Sequence, residues 1–396
     1  MEDRANPESR ANASRRQTLS TIAASSAVVS GLAGVPTTVV GTSGRKKRIT
    51  ILAAGDESRE TVRVSKRWYK HTEQAAKVKE AISNRMAGER AVHSIGIENG
   101  DESIGGLRSD RVVTSVLPSA SQQTRDAVPS SVEGIPVRTE ESEPPEQTDC
   151  YTGPTYDGDD DPDEDIYGGR GATGLKEQDG EYVSVESPTL CCRAYKNDTK
   201  YIMGCRHMFN GDNCDDGDIT DRKWGRVNDS GEVTPMGDVV HAYQVFDAAL
   251  MDISAPNYRE ILSDVADQYG GVVGRVTQDG VEYLQSQSTT VSKRGRSTCK
   301  TTGTIHKRGV DYYKCSELNP FPTERRQIVT TANQEDGDSG GPVYHQPRDT
   351  IDPDELYLLH IATRKTNEDG WARGSSAAFM NDEQNITFGP KKYSDG

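Results

Sequence analysis

The sequence predicts a mainly β protein preceded by a small α+β module, and three observations support that class. Strand-like runs at 181–185, 200–205, 239–246, 328–331, 342–344 and 356–362 are bounded by turn residues. Helical periodicity runs from Trp68 through Ala75, Val78, Ile82 and Met86, so that one stripe can bury. A glycine-rich hexapeptide, Gly337-Asp338-Ser339-Gly340-Gly341-Pro342, stands between two of the strand-like runs.

At the N-terminus, Ser14-Arg15-Arg16-Gln17-Thr18-Leu19 precedes a mildly apolar Ala/Ser/Val-rich run that continues to about Val40. Paired arginines ahead of a weak apolar region resemble a twin-arginine (Tat) export signal, which implies a secreted or extracellular protein. Ser, Gly and Pro36 make the run too weak for a spanning helix, so no stable membrane span is expected after processing. Residues 1–44 are read as signal and leader. Residues 45–138 form the α+β module, in which Val92 to Ile97, Arg111 to Leu117 and Ile135 to Arg138 read as strands around the Trp68–Met86 helix. The basic cluster at 45–48 reads as solvated charge, with a processing site as the alternative. Residues 139–165 shift to Glu, Pro and Asp and form a linker, because such a run buries too little apolar surface to order itself. Its carboxylates at 157–165 leave a structural calcium ion open, although Pro162 and Gly168 depart from the EF-hand pattern. Gly169-Arg-Gly171-Ala-Thr-Gly174 matches a dinucleotide fingerprint only formally: no hydrophobic strand precedes it and Gln178-Asp179-Gly180 interrupts any helix. No cofactor is expected.

Composition narrows the function. The 396 residues carry 62 acidic and 47 basic side chains, for a net charge of −15, which argues against a nucleic-acid partner. The same excess suits a solvated surface in high salt, hence a halophilic source. Seven cysteines are present, so at least one is unpaired within the chain. Cys299 and Cys315 bracket a predicted hairpin, and Cys191 or Cys192 with Cys205 or Cys214 would close a second bridge near the histidine loop. Such bridges fit export. The spacing of Cys205, His207 and Cys214 matches no usual zinc pattern, so no metal site is read there.

The hexapeptide carries the chemistry. A serine hydroxyl is a poor nucleophile at neutral pH, and acyl-transfer enzymes expose it on a tight turn beside backbone N–H donors. Upstream, Lys200 to Phe209 reads as a strand ending at His207, and Val239 to Phe246 runs into Asp247-Ala-Ala-Leu. The order His, Asp, Ser is that of chymotrypsin. On these residues, with Gly295-Arg, Thr302-Gly-Thr, Leu356 to Ala362 and Gly374 to Phe379, the chain resembles the chymotrypsin/trypsin-like serine protease family, in its secreted prokaryotic branch; the acidic surface suggests a haloarchaeal member. The resemblance covers about 166–382. It implies two six-stranded antiparallel β-barrels within 166–396 and hydrolysis of polypeptide substrates. It also implies Ser339 as nucleophile, His207 as base, Asp247 as orienting acid, and the N–H groups of Gly337 and Ser339 as oxyanion hole. Asp338 would meet a new N-terminus or another internal partner. Asn333 stands at the start of the pocket floor and His360 resembles a pocket-wall histidine. Asp252 competes with Asp247 for the acid role. The Cys205-Arg206 pair departs from the family's two small residues before the histidine; the arginine would depress the base's pKa or face solvent. The α+β module resembles segments found ahead of such cores, implying an intramolecular inhibitor, a folding aid or an accessory domain. A catalytically inactive protease-like binding domain is the competing reading of the whole, and an esterase on the same machinery is a third.

Overall fold

The computed structural model describes residues 45–142, 166–209, 219, 221–227, 230–253, 261–265, 270–313, 324–347, 354–366 and 369–388. The export signal, the acidic carboxylates at 157–165, Cys150, Cys214 and Cys315 lie outside them.

The module opens with a hairpin, β1 (Lys46–Ala54) and β2 (Glu57–Ser65), followed by α1 (Lys66–Arg85). The basic cluster begins a strand while keeping Arg45, Lys46 and Arg48 exposed: Lys46 pairs with Ser65, and the Lys47 ammonium sits 3.1 Å from the centre of the Tyr69 ring. Ser65 caps α1, its hydroxyl accepting from the Arg67 N–H (3.2 Å). The helix buries the stripe expected from its period, Trp68, Ala75, Val78 and Ile82. Burial of Val78 and Ile82 contributes roughly 1.5–3 kcal/mol each. It lies against β3 (Val92–Ile104) and β4 (Leu107–Val116); the short α2 (Gln122–Ala127), β5 (Ser131–Val132) and β6 (Ile135–Glu141) complete the module.

The first barrel region comprises β7 (Ile166–Gly168), β8 (Thr173–Gln178), β9 (Glu181–Ser184), β10 (Arg193–Lys196), β11 (Thr199–Cys205), β12 (Lys223–Val227), β13 (Val233–Tyr243), β14 (Ala248–Met251) and β15 (Ile261–Val265). The second comprises β16 (Gly271–Val276), α3 (Gln278–Ser286), β17 (Thr290–Gly295), β18 (Cys299–Tyr312), β19 (Glu324–Asn333), β20 (Pro342–His345), β21 (Glu355–Lys365), β22 (Trp371–Ser376), α4 (Ala377–Gln384) and β23 (Thr387–Phe388).

In the second region β17, β18, β19, β22, β21 and β20 pair in that order, each antiparallel to the next, and β20 returns to β17. This is the expected closed six-stranded barrel. In the first region an eight-stranded sheet follows the path β23-β10-β11-β14-β13-β12-β8-β9, borrowing β23 from the C-terminal end, while β7 pairs with β15 and β15 with β16 in the other sheet. The fold is mainly β, with its helices at the N-terminal module and at the margins of the second barrel.

The module is also less separate than its sequence suggests. β3 pairs antiparallel with β18, with Glu98 opposite Lys307 and Ile97 opposite Arg308, and β1 pairs with β16 at Leu52–Val276. Gly96 permits the first contact, because a Cβ there would lie 2.8 Å from Val310 Cγ2. Ile49, Ile51, Leu52, Val64 and Trp68 share one apolar core with Val276, Val281, Leu284, Ile305 and Leu359 of the barrel.

Candidate active site

Strand register brings the proposed base and acid together. β11 pairs with β14 so that Cys205 faces Ala248, which sets the turn after β11 (Arg206–Phe209) beside the residue before β14. That residue, Asp247, adopts a left-handed backbone (φ 50°, ψ 45°), a region that Asp and Asn tolerate better than most side chains. The bend aims both of its oxygens at one residue. Oδ1 accepts the His207 backbone N–H (2.9 Å) and Oδ2 accepts the ring Nδ1–H (2.7 Å), while the Asp247 carbonyl accepts the Arg206 N–H (3.1 Å). Both side chains are buried. Burial alone would raise the Asp247 carboxyl; the imidazole's charge and hydrogen bonds, with Arg364 beyond, outweigh it and hold the pKa at about 2. Cys205 Sγ lies 3.5 Å from the other ring nitrogen, Nε2.

Ser339 sits on the turn between β19 and β20, fastened to the first barrel region by Thr189. The Thr189 N–H donates to the Ser339 carbonyl (2.7 Å) and its hydroxyl to the Gly337 carbonyl (2.6 Å). Gly340 is required here: its φ is +93°, and a Cβ would stand 1.9 Å from the Thr189 carbonyl oxygen and 3.4 Å from the Cys205 nitrogen. The nucleophile turn is therefore wedged against the strand that leads to His207. The N–H groups of Asp338, Gly340 and Gly341 are committed to the carbonyls of Glu335, Ala362 and Asp338, at 3.1, 2.5 and 2.9 Å. Those of Gly337 and Ser339 enter no backbone hydrogen bond among the described residues. These are the two donors expected at an oxyanion hole. The Ser339 hydroxyl itself donates to the Thr363 carbonyl (3.0 Å).

Asp338 meets an internal partner. Its carboxylate accepts from Lys293 Nζ (2.5 Å), Thr298 Oγ1 (2.6 Å), and the backbone N–H groups of Ser297 (2.8 Å), Thr298 (3.0 Å) and Glu335 (3.1 Å). Neither Lys293 nor Asp338 exposes any side-chain surface. Burial pushes the carboxyl up, but the ammonium and the donors around it bring it below the usual carboxylate range. Thr189, Lys293 and Thr363 were not identified from sequence. Lys293 stands two residues before the Gly295-Arg pair, yet its pairing with a residue 45 positions away has no local signature.

The other expected positions fare differently. Asp252 is occupied elsewhere, its Oδ1 accepting the Asp238 N–H (2.7 Å). Arg206 is buried rather than solvent-facing. Asn333 is exposed at the end of β19, opposite Trp371. His360 is fully buried within β21, as Ser339 and His207 are in their turns, and its pKa is lowered to about 4 by loss of solvent. Cys205 and Cys299 hold free thiols, so neither expected bridge is formed at its described end.

No family model matches the sequence, and no curated protein matches it. Solved structures similar in fold include Thermobifida fusca Protease A (15% identity, TM-score 0.39, covering 58% of this chain and 100% of that one). The Nocardiopsis protease NAPase is similar at 15% identity and TM-score 0.38, over 57% of this chain and 100% of its own. A glutamic acid specific serine protease, described as using a histidine triad in substrate binding, is similar at 16% identity and TM-score 0.36, over 56% of this chain and 99% of its own. Likenesses this distant leave function to be argued from the geometry.

Proposed function

We propose that the chain is a secreted serine endopeptidase that cleaves peptide bonds through an acyl-enzyme. The observation that carries this reading is the buried His207–Asp247 pair, in which one carboxylate grips both the ring and the main chain of the histidine. Such a grip fixes the tautomer with the proton on Nδ1, leaving the Nε2 lone pair for a substrate-side proton. Ser339 would turn from the Thr363 carbonyl toward that lone pair and attack the scissile carbonyl. His207 would take its proton and return it to the leaving amine, while Asp247 stabilises the imidazolium. The uncommitted N–H groups of Gly337 and Ser339 would hold the oxyanion, at about 3 kcal/mol per donor. The Lys293–Asp338 pair would keep those donors aimed, as a positioning device.

The module's strand pairings are with β16 and β18, neither of which carries a proposed catalytic residue. That placement favours a folding aid or permanent brace over a cover on the cleft. Export by the twin-arginine route and activity in high salt complete the proposal. No helix among the described residues is long and apolar enough to cross a membrane.

Two observations favour an inactive binding domain instead: the Ser339 hydroxyl is engaged by backbone and a thiol faces Nε2. Labelling with a fluorophosphonate, in low and high salt, separates the readings. Modification confined to Ser339, absent in Ser339→Ala and lost on heat denaturation, is the expected result. Absence of labelling at every salt concentration would reverse the conclusion.

A further inference from the structure

The acid of the pair comes from the first barrel region, yet its backbone is held by the second. Asp247 follows the turn Gln244–Phe246 with a left-handed backbone, φ 50°, and where its side chain points is set by the peptide plane before it. Both ends of the Phe246–Asp247 peptide are engaged. Its N–H donates to the Gln244 carbonyl (3.0 Å), and its carbonyl accepts the Ser375 hydroxyl of β22. Ser375 in turn accepts from Gln327 Nε2 of β19 (2.7 Å), the residue directly across the strand pair. The hydroxyl's single proton goes to the carbonyl and its lone pair takes the amide, so the direction of this chain is fixed. Gln327 and Ser375 are both 0% exposed. The Phe246 ring is gripped as well, edge to face with Phe379 of α4 at 5.0 Å between centroids.

Strand pairing does not account for these two side chains, because β19 and β22 are joined through their main chains. A buried amide is a costly filler, and the Gln327 Oε1 has no hydrogen-bond partner among the described residues. What the two side chains add is a fixed orientation for one carbonyl. Rotation of the Phe246–Asp247 plane would return Asp247 to the common negative φ and swing its carboxylate off both the ring and the N–H of His207. We propose that Ser375, oriented by Gln327, is a positioning residue for Asp247: it locks that peptide plane and so keeps the carboxylate on His207. The hold on the carboxylate stands on the geometry; its effect on rate rests on the catalytic reading above.

The test uses the full chain as Ser339→Ala, which removes self-digestion, with 15N-labelled histidine, and follows the imidazole Nδ1 proton of His207 by NMR. A proton held between that nitrogen and a buried carboxylate exchanges slowly with water and resonates far downfield; its loss in His207→Gln assigns it. Ser375→Ala should speed its exchange by about tenfold or more, as loss of one hydrogen bond implies. Gln327→Met, which keeps the hydroxyl but not its orientation, should have a smaller effect of the same sign. Thr330→Val removes a hydroxyl bonded to the Ala372 carbonyl within the same strand pair and should leave the exchange unchanged. Circular dichroism checks the fold of each variant, and Gln327→Met decides alone should Ser375→Ala not fold. In the chain that retains Ser339, Ser375→Ala should slow fluorophosphonate labelling by about tenfold to a hundredfold. A parent chain without the slowly exchanging proton, parental exchange in the folded variants, or equal acceleration in Thr330→Val would each overturn the proposal. Faster exchange in a chain that never labels would uphold the positioning role while refuting the catalytic reading.

Discussion

Two seams run through this molecule; both join strands over an apolar core, and they differ in the polar contacts added to it. Between the barrel regions the joint is a shared apolar core, in which Met203, Phe246 and Leu250 meet Tyr344, Leu358 and Phe379, the pairing of β10 with β23, and hydrogen bonds to main chain from Thr189 to Ser339 and Gly337 and from Ser375 to Phe246. Between the module and the second barrel the joint combines strand pairing, a shared apolar core and paired charges. Arg308 meets Asp110 at 2.9 and 3.0 Å, Lys79 meets Asp311, and Lys307 reaches Glu98 and Glu140. Main-chain bonds fix atoms in place. Ion pairs hold bodies together with less demand on atomic position. If the chain turns over peptide as proposed, substitutions at the His207–Asp247 pair should act on rate and substitutions at the module's ion pairs on persistence of the fold.

Asp247→Asn is expected to give the largest effect, because it tolerates the left-handed backbone but presents the wrong proton to the ring. Turnover should fall about ten-thousandfold with little change in melting temperature; equal losses in both would erase the distinction between the seams. Lys293→Met comes next. It strands a buried carboxylate under the nucleophile turn and should cost about 3–5 kcal/mol in denaturant unfolding, together with a lower kcat. This is the one position among these where a loss of rate should come with a loss of stability. Across the other seam, Lys79→Met should cost about 1.5–3 kcal/mol, as expected for loss of a charged hydrogen bond, and leave kcat within twofold.

The smallest predicted effect depends on pH. Burial would raise the Glu98 carboxyl, but the hydrogen bond from His306 and the charges of Lys307, His306 and Arg138 lower it to about 2. A carboxyl held below its unfolded value of about 4.3 contributes stability above that pH and loses it as pH falls toward 2. Glu98→Gln should therefore be less stable than the parent by about 1–2 kcal/mol at pH 7, with the gap closing between pH 4 and pH 2. Paired melts at pH 7, 4 and 2.5 measure it, and a gap independent of pH would show that Glu98 acts through packing.

Much of the site could be read from the sequence because its parts are local. A strand ending at His207, an acid before an apolar strand and a Gly-rich turn at Ser339 each have short signatures, and α1 followed from its period. What was not legible depends on distant partners. Lys293 looked like any strand lysine until Asp338 enclosed it. The hairpin at 46–65 was hidden by its charges, since Lys46, Lys47 and Arg48 suggest solvent more strongly than they suggest a strand. The junction of β3 with β18 joins segments some two hundred residues apart and turns on which strand is left unpaired, a property of the assembled sheet. His360 is hard to assign for a related reason: β21 is buried on both faces, so its alternation carries no sign of which side meets a substrate.

β18 is shared along its length: residues 299–304 pair with β17 and residues 307–312 with β3. Were residues 45–142 lost, the Lys307–Tyr312 stretch would present an unsatisfied row of main-chain donors and acceptors to the medium, and such open borders recruit other copies of the same chain. The chain lacking residues 45–142 should therefore self-associate in a concentration-dependent way, visible by sedimentation, and a peptide spanning Val92–Ile104 should compete with that association. On this view the module serves as a guard against oligomers as much as a brace.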